Sequence, residues 1–412
     1  MDLSSSRQPL TASVWENGSS IICAFGPSAA NPTIELCRYK YTDIHYGSGQ
    51  LIASWDAPCP SPDLESDQVI SLRYLADTNS CCLVLAGGDI VIVRENPTAD
   101  EEHIEILGTV DDGISTASWS PDECLLALCT KTSSLILMSR DFEPVVDIKF
   151  SPDDIKASKH VSIGWGKAET QFKGKRAKAL RDPTVPEQVD EGLPSSFDDG
   201  RISVSWRGDG EYVAVNSLEQ GGRRMIRVFS RDGILDSVSE PVNYLEGALS
   251  WRPAGNLIAG IKRQADKAEV VFFERNGLRH GQFPLRLSQS EIQEWASVIG
   301  LEWNTDSTVL AVVFRDRIQL WTMGNYHYYL KQTIQAPQST RLSSSNIDMQ
   351  WSLEDSSRFA MYHTGLFFYM VFIMDNLLTF PRLPINFRLH IFDGEGFNDS
   401  TSRFWLSRGH RW

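Results

Sequence analysis

One short pattern recurs along the chain and constrains its fold more than any other feature of the sequence. Each copy is an apolar stretch ending in tryptophan, then a turn rich in Pro, Gly, Asp or Ser, then a second apolar stretch. The copies are marked by Trp119, Trp206, Trp251, Trp303 and Trp351. Strand, turn and strand in this order predict an antiparallel meander. Because the tryptophans recur at one position, we expect them to pack between neighbouring units and not to cage a ligand.

The spacing of the copies indicates which repeat architecture they build. With Trp165 counted as a degenerate copy, successive tryptophans lie roughly 40 to 50 residues apart, near the roughly 40 to 45 residues of a four-stranded propeller blade. Two earlier units, residues 12–39 and 69–95, lack the tryptophan but keep the order of strands and turns. The sequence therefore predicts an all-β, WD40-like β-propeller of about seven four-stranded blades before the Trp351 unit. A β-sandwich would not explain the fixed period, and helix is expected only near residues 289–295.

Composition and cysteine usage indicate a folded protein of a reducing compartment. The 412 residues are 42% hydrophobic and 22% charged, as in ordinary globular proteins. The seven cysteines include no CxxC pair and fall mostly in apolar stretches. This predicts reduced, buried thiols in a protein of the cytoplasm, and also of the nucleus. Residues 1–9 lack the apolar part of a secretion signal. The apolar run at 365–374 is about half of the roughly 20 residues that a membrane helix needs, so no membrane association is expected.

The charge distribution offers one candidate site for nucleic acid. A formal net charge of −14 gives no overall attraction to RNA, so contact would require a local basic patch. Concentrated Lys and Arg can bind phosphates whatever the base sequence. However, Phe172 is the one aromatic residue among them on which a base could stack, so a solvated loop is the alternative interpretation. The densest basic stretch, at 167–181, contains Lys167, Lys173, Lys175, Arg176, Lys178 and Arg181.

Two further charged segments accompany the basic stretch. Residues 182–199 are acidic and contain three prolines, which predicts a flexible insertion between strands. Arg223, Arg224, Arg227 and Arg231 form a small second cluster. Alternate residues of a strand face opposite ways, so these arginines cannot form one patch, and we expect solvated edge residues.

Motifs of catalysis are absent from the sequence. It contains no GxSxG elbow, no GxxxxGK[ST] phosphate loop and no HExxH pair. None of the eight histidines lies within three to five residues of another His or Cys, as a local metal clip would require. The sequence therefore predicts no enzyme, no catalytic or cofactor-binding residue, and no metal site.

Beyond the repeat itself, the amino-acid sequences of several segments resemble those of a known protein family. Residues 161–174, VSIGWGKAETQFKG, are similar to a signature of the largest subunit of the Elongator complex, also called the IKAP family. Ordinary WD-repeat proteins share the order of strands but not the amino-acid sequence of residues 272–280, FFERNGLRH. The resemblance covers roughly residues 10–364. Further similar segments follow in the same order, at residues 205–210, 245–253, 270–281, 301–312, 319–322 and 325–331.

This resemblance implies a function for the chain. It implies a non-catalytic scaffold subunit, required for carboxymethyl-type modification of the tRNA wobble uridine (U34), that acts by binding partner subunits. In the family, an acetyltransferase-like subunit does the catalysis with an iron–sulfur cluster, S-adenosylmethionine and acetyl-CoA, so no cofactor is expected on this chain. The family's dimerisation region has no counterpart in this sequence, and contact with tRNA is expected to be indirect or weak. The alternative is a direct RNA-binding module that uses the 167–181 loop.

The same resemblance predicts that the chain is divided into three parts. Residues 10–345 are expected to form a first propeller, and residues 346–364 a closing or next-blade strand unit. Residues 365–412 depart from the family pattern and form a short anomalous C-terminal tail. A truncated or mis-spliced gene model explains such a tail more simply than a new domain does, and a diverged last blade is the alternative.

Overall fold

The computed structural model describes most of the chain between residues 8 and 373. Its described ranges are 8–17, 20–40, 49–58, 65–157, 190–219, 222–294, 298–335, 347–352, 356–363 and 366–373. Within them the chain forms seven antiparallel sheets, of which six have four strands and one has three. In every sheet the strands are neighbours in the order in which they occur along the chain.

The first four sheets, blades 1 to 4, occupy the N-terminal half. Blade 1 comprises β1 (Leu10–Asn17), β2 (Ser20–Phe25), β3 (Thr33–Lys40) and β4 (Gln50–Asp56). Blade 2 comprises β5 (Val69–Leu75), β6 (Ser80–Leu85), β7 (Asp89–Arg94) and β8 (Ile104–Thr109). Blade 3 comprises β9 (Ile114–Trp119), β10 (Leu125–Thr130), β11 (Ser134–Ser139) and β12 (Pro144–Lys149), followed by the short helix α1 (Asp154–Ala157). Blade 4 comprises β13 (Ser203–Trp206), β14 (Tyr212–Leu218), β15 (Arg224–Ser230) and β16 (Leu235–Val238).

The remaining three sheets, blades 5 to 7, follow the same plan. Blade 5 comprises β17 (Leu245–Trp251), β18 (Leu257–Arg263), β19 (Ala268–Glu274) and β20 (Arg279–Pro284), followed by helix α2 (Gln289–Glu294). Blade 6 comprises β21 (Val298–Trp303), β22 (Val309–Phe314), β23 (Arg317–Gly324) and β24 (His327–Gln335). Blade 7 comprises β25 (Ile347–Trp351), β26 (Arg358–His363) and β27 (Leu366–Ile373). The helix predicted near 289–295 is therefore present as α2.

The blades are arranged in a ring around their first strands. Each first strand from β1 to β21 lies beside the first strand of the next blade along the chain, ending with β25. Between the ends of the ring, the indole Nε1–H of Trp15 in blade 1 donates to the backbone carbonyl of Gln350 in blade 7 at 3.3 Å. This contact joins residues 335 positions apart. The fold is a β-propeller, and the predicted fold class is confirmed.

The hydrophobic core consists of layers between blades, and strand composition follows from this. The second strands β2, β6, β10 and β22 are buried at every position. Each is covered on both sheet faces, which explains their continuous apolar runs in place of alternation. Outer strands such as β12 and β24 alternate exposed and partly buried residues, as edge strands with one wet face do. The apolar pattern of the sequence therefore records how deep in a blade each strand lies.

The tryptophan markers occupy the position that the sequence predicts. Trp119, Trp206, Trp251, Trp303 and Trp351 each end the first strand of a blade, and all five are buried. Packing between blades is confirmed as their role.

The blade count shows how the repeats map onto the ring. The early units 12–39 and 69–95 lie in blades 1 and 2. Trp165 lies outside the described residues, and six described sheets precede Trp351, whose strand begins the seventh. The domain limits 10–345, 346–364 and 365–412 stay predictions. Within the described ranges, no helix has the length and apolar character to span a membrane, and the part of the 365–374 run from Leu366 to Ile373 is a strand.

Candidate interaction surface

The basic stretch predicted to touch RNA lies, in the order of the chain, after blade 3 and before blade 4. Lys167, Lys173, Lys175, Arg176, Lys178 and Arg181 all lie outside the described residues. The structure does describe both flanks of this segment, residues 150–157 after β12 and residues 190–202 before β13. The candidate site is therefore defined here by how these two flanks attach to the propeller.

A single arginine attaches the first flank to blade 4. Arg227 of β15 is fully buried, and its Nε donates to Oδ2 of Asp154 in α1 at 2.7 Å. Its Nη2 lies 2.6 Å from Oε1 of Glu219, and its guanidinium lies over the ring of Phe150 at 4.8 Å. A buried guanidinium with two carboxylates and an aromatic face is well compensated, whereas loss of its partners would leave an unpaired charge.

The second flank is held by an asparagine and two ion pairs. Asn243 Oδ1 accepts three consecutive backbone N–H groups, those of residues 191, 192 and 193, at 2.8 to 3.0 Å. Gly192 has a φ of +83°, a conformation that the turn around this oxygen requires and that glycine adopts without strain. Arg279 pairs with Asp190 at 3.0 Å, and Arg224 Nε donates to Asp198 Oδ2 at 2.6 Å. These contacts fix the flank across blades 4 and 5.

A further buried ion pair lies beneath this flank. Arg263 Nε donates to Glu246 Oε1 at 2.7 Å, and Ser195 Oγ donates to the same oxygen at 3.0 Å. Burial raises the pKa of Glu246, and the pairing with Arg263 and Ser195 offsets this only in part. The guanidinium of Arg263 also lies 4.2 Å from the centre of the Phe197 ring. This arrangement serves as structural support, because every charged group in it has a partner.

Two interpretations of the sequence are wrong here. Arg224 and Arg227 are not solvated edge residues but are buried, because acidic residues distant in sequence return to pair with them. Their placement on opposite faces is confirmed: Arg224 lies against Gly247 of blade 5, and Arg227 against Phe150 after blade 3. The insertion predicted to be flexible at 182–199 is, in its described part from 190 onward, fixed by hydrogen bonds and ion pairs.

The described residues provide neither a candidate metal site nor a reactive buried thiol. No group of three His, Cys, Asp or Glu side chains in the described ranges is placed to hold a metal ion. The described cysteines are free, and Cys23, Cys81, Cys82 and Cys129 are buried as predicted, whereas Cys124 is exposed. Burial raises the pKa of Cys81 and of Cys82 to about 12. These two thiols are therefore protonated at neutral pH and are poor nucleophiles.

Comparison with known proteins gives a consistent assignment. The family model "ELP1 first N-terminal beta-propeller" matches residues 2–354. The chain is 42% identical over 328 residues to Elongator complex protein 1 of Schizosaccharomyces pombe, covering 78% of this chain and 25% of that protein. It is 45% identical over 353 residues to Elongator complex protein 1 of Saccharomyces cerevisiae, covering 77% of this chain and 25% of that protein.

A more distant relative agrees with these two. Elongator complex protein 1 of Drosophila melanogaster is 30% identical over 295 residues, which is 69% of this chain and 22% of that protein. The chain thus spans about a quarter of the length of the first relatives it matches. On the match across residues 2–354, the chain belongs to the family of the first N-terminal β-propeller of ELP1.

Proposed function

We propose that this chain acts as a non-catalytic scaffold in an Elongator complex, and that this complex carries out carboxymethyl-type modification of the tRNA wobble uridine (U34). In this role the chain binds other Elongator subunits, including the acetyltransferase-like catalytic subunit, and itself carries no cofactor. The observation that supports the proposal most is that more than three quarters of the chain aligns with Elongator complex protein 1 of two yeasts, at 42% and 45% identity. The proposed location is cytoplasmic and also nuclear.

The chemistry of the described residues is compatible with a scaffold. The buried arginines Arg224, Arg227 and Arg263 of blades 4 and 5 each pair with a carboxylate. Perturbed carboxylates at catalytic sites usually face a cleft where substrate can reach them. Glu246 is instead covered by residue 195 and bonded to Arg263. A rigid disc whose buried arginines are paired in this way is suited to holding other proteins.

Affinity purification of the full chain from its source cells tests this proposal. We expect the tagged chain to recover the other Elongator subunits, the catalytic one among them, when the eluate is identified by mass spectrometry. Cells in which the gene is deleted should also show less carboxymethyl-type modification of U34 when their tRNA nucleosides are quantified. Recovery of no Elongator subunit would contradict the scaffold function.

Direct RNA binding through residues 167–181 stays the alternative. Its support is the density of basic residues in this segment, whose described flanks are held to the propeller by ion pairs at Asp154 and Asp198. A phosphate-driven contact must weaken steeply as salt rises. Titration of tRNA at two salt concentrations, with Lys173, Lys175 and Lys178 changed to Gln as the comparison, separates this function from scaffolding alone.

A further inference from the structure

The hairpin of β23 and β24 in blade 6 extends past its neighbouring strand. In blades 2 to 5, the third strand ends at the residue paired with the first residue of the second strand. Those end residues are Arg94, Ser139, Ser230 and Glu274. In blade 6 the corresponding pair is Val309 with Thr322, yet β23 continues to Gly324. Residues 323–329, which we call the blade 6 finger, therefore extend beyond Val309, the first residue of the second strand.

The finger exposes large apolar side chains on both faces and at its end. Tyr326 at the turn is 85% exposed, Met323 is 51% exposed and Tyr329 is 43% exposed. Met323 lies opposite Tyr328 and Tyr329 lies opposite Thr322. Because consecutive residues of a strand point to opposite faces, Met323 and Tyr329 lie on different sides of the hairpin. A projection that is apolar on both sides fits into a cleft better than onto a flat surface.

The conformation of Tyr326 is unfavourable for folding alone. The turn residues Asn325 and Tyr326 have φ values of +49° and +63°. Two-residue hairpin turns of this kind favour Asn followed by Gly, because a bulky side chain is strained at positive φ. Tyr326 thus combines backbone strain with almost complete exposure of an aromatic ring. Neither stability nor solubility favours tyrosine there, whereas binding does.

The base of the finger is held rigidly by stacked rings. The ring of Tyr328 stacks on Phe283 with centroids 4.5 Å apart and an interplanar angle of 14°. It also stacks on Phe272 with centroids 5.0 Å apart and an angle of 26°. On the other face, the Tyr329 ring lies 3.6 Å from where a side chain at Gly324 would begin. A hairpin fixed in this way loses little conformational entropy on binding.

The charge of the hairpin indicates what surrounds its binding cleft. Residues 317–335 contain Arg317, His327 and Lys331 but no Asp or Glu, in a chain that has 53 acidic residues in total. His327 and Lys331 are exposed beside the apolar side chains. Carboxylates on a partner would complement Lys331 and, when it is protonated, His327, whereas a basic partner surface would be disfavoured.

We propose that the blade 6 finger inserts Tyr326, Tyr329 and Met323 into an apolar cleft, rimmed by carboxylates, on a partner protein subunit. The inference rests on the proposed scaffold function, for which it names one contact surface. Exposed tyrosines on a rigid support are typical of the few residues that dominate the free energy of a protein interface. The two basic side chains are too few to favour RNA as the occupant.

A binding measurement with matched variants tests the proposal. The full 412-residue chain is titrated against the remaining Elongator subunits of the source organism, purified together as one assembly. We expect the double variant Tyr326→Gly, Tyr329→Ser to bind at least about tenfold more weakly than the unchanged chain. The Tm of this variant should be no lower, because glycine relieves the strain at residue 326. The control is Ile234→Ser, which removes a side chain 66% exposed on the equivalent turn of blade 4 and should leave the Kd unchanged.

The outcomes separate this inference from the proposed function. No binding by the unchanged chain would contradict the scaffold function and the finger with it. Equal binding by the unchanged chain and the double variant, or an equal loss in the Ile234→Ser control, would overturn the finger alone. A single-stranded RNA probe replaces the subunits in a parallel titration. Loss of RNA binding by the double variant, with subunit binding intact, would also overturn a protein-binding finger.

Discussion

The hydroxyl of Ser250 accepts the backbone N–H of Trp303 at 3.2 Å, across the boundary between blades 5 and 6. The same relationship joins Ser205 to Trp251 one blade earlier, at 2.8 Å. In each pair the serine directly precedes the tryptophan of its own blade. The Ser-Trp step of the repeat therefore supplies a hydrogen-bond acceptor to the next blade and a ring to the layer between blades. It specifies the attachment of blades as well as the strand.

Replacing Ser250 by Ala should weaken the junction between blades 5 and 6. The N–H of Trp303 would be buried without this acceptor, and leaving a buried donor unsatisfied costs about 1 to 3 kcal/mol. Urea denaturation should show this loss in the free energy of unfolding. The exposed Ser196→Ala variant is the control and should change stability by less than about 0.5 kcal/mol. Equal stability of the two variants would show that the contact contributes nothing.

Two arginines of blade 4 should differ sharply in their importance. Arg227→Met leaves Asp154 and Glu219 without their buried partner, and breaking such a pair costs about 3 to 5 kcal/mol. Arg231→Met breaks a pair with Asp122 that is partly exposed, which contributes about 1 kcal/mol or less. Thermal unfolding of the two variants measures the difference. A Tm that falls equally in both would contradict the structural role of Arg227.

Sequence alone was sufficient to predict the propeller, because the features that define a blade are visible in each copy of the repeat. Largely apolar second strands and a tryptophan at the end of first strands are local patterns, visible without any contact being known. The partners of Arg224 and Arg227 were not predictable in this way. Asp198 and Asp154 lie 26 and 73 residues away, and only the folded arrangement of blades 3 and 4 brings them to the two arginines.

The blade 6 finger was missed for a different reason. Residues 325–331 resemble the family in sequence, yet the exposure of Tyr326 depends on where β22 begins relative to the end of β23. A signal was present, since a two-residue turn that carries tyrosine where glycine is favoured is unusual. The basic residues at 167–181 lie outside the described part of the chain, so their role stays a prediction.

Acid should destabilise the junction of blades 3 and 4 through Asp122. Burial alone would raise its pKa, but hydrogen bonds from Ser120 and Arg231 outweigh this and lower the pKa to about 2. A carboxylate with a lowered pKa stabilises the folded state above its ordinary value of 3.8, and this contribution is lost as pH falls towards 2. Stability of the unchanged protein should therefore fall more between pH 4 and 2 than that of Asp122→Asn. Parallel profiles for the two proteins would rule out this contribution.

Alkylation of the native protein should separate the described cysteines by position. Cys124 is exposed and should react with iodoacetamide, whereas Cys23, Cys81, Cys82 and Cys129 are buried and should react only after denaturation. Burial raises the pKa of each of these four thiols, which further slows reaction through the thiolate. Peptide mapping by mass spectrometry, with a denatured sample as the control, measures the extent at each site. Rapid native labelling of Cys82 would be inconsistent with the layer between blades 2 and 3.

Closure of the ring between blades 1 and 7 is measured most directly by hydrogen exchange at Trp15. Its indole N–H donates to the carbonyl of Gln350, and its NMR signal can be assigned with the variant Trp15→Phe. A closed propeller predicts exchange as slow as that of the Trp206 indole, which donates to the carbonyl of Ser118 at 3.0 Å within the ring. Exchange of the Trp15 indole at the rate of a free, solvated indole would show that blades 1 and 7 do not meet.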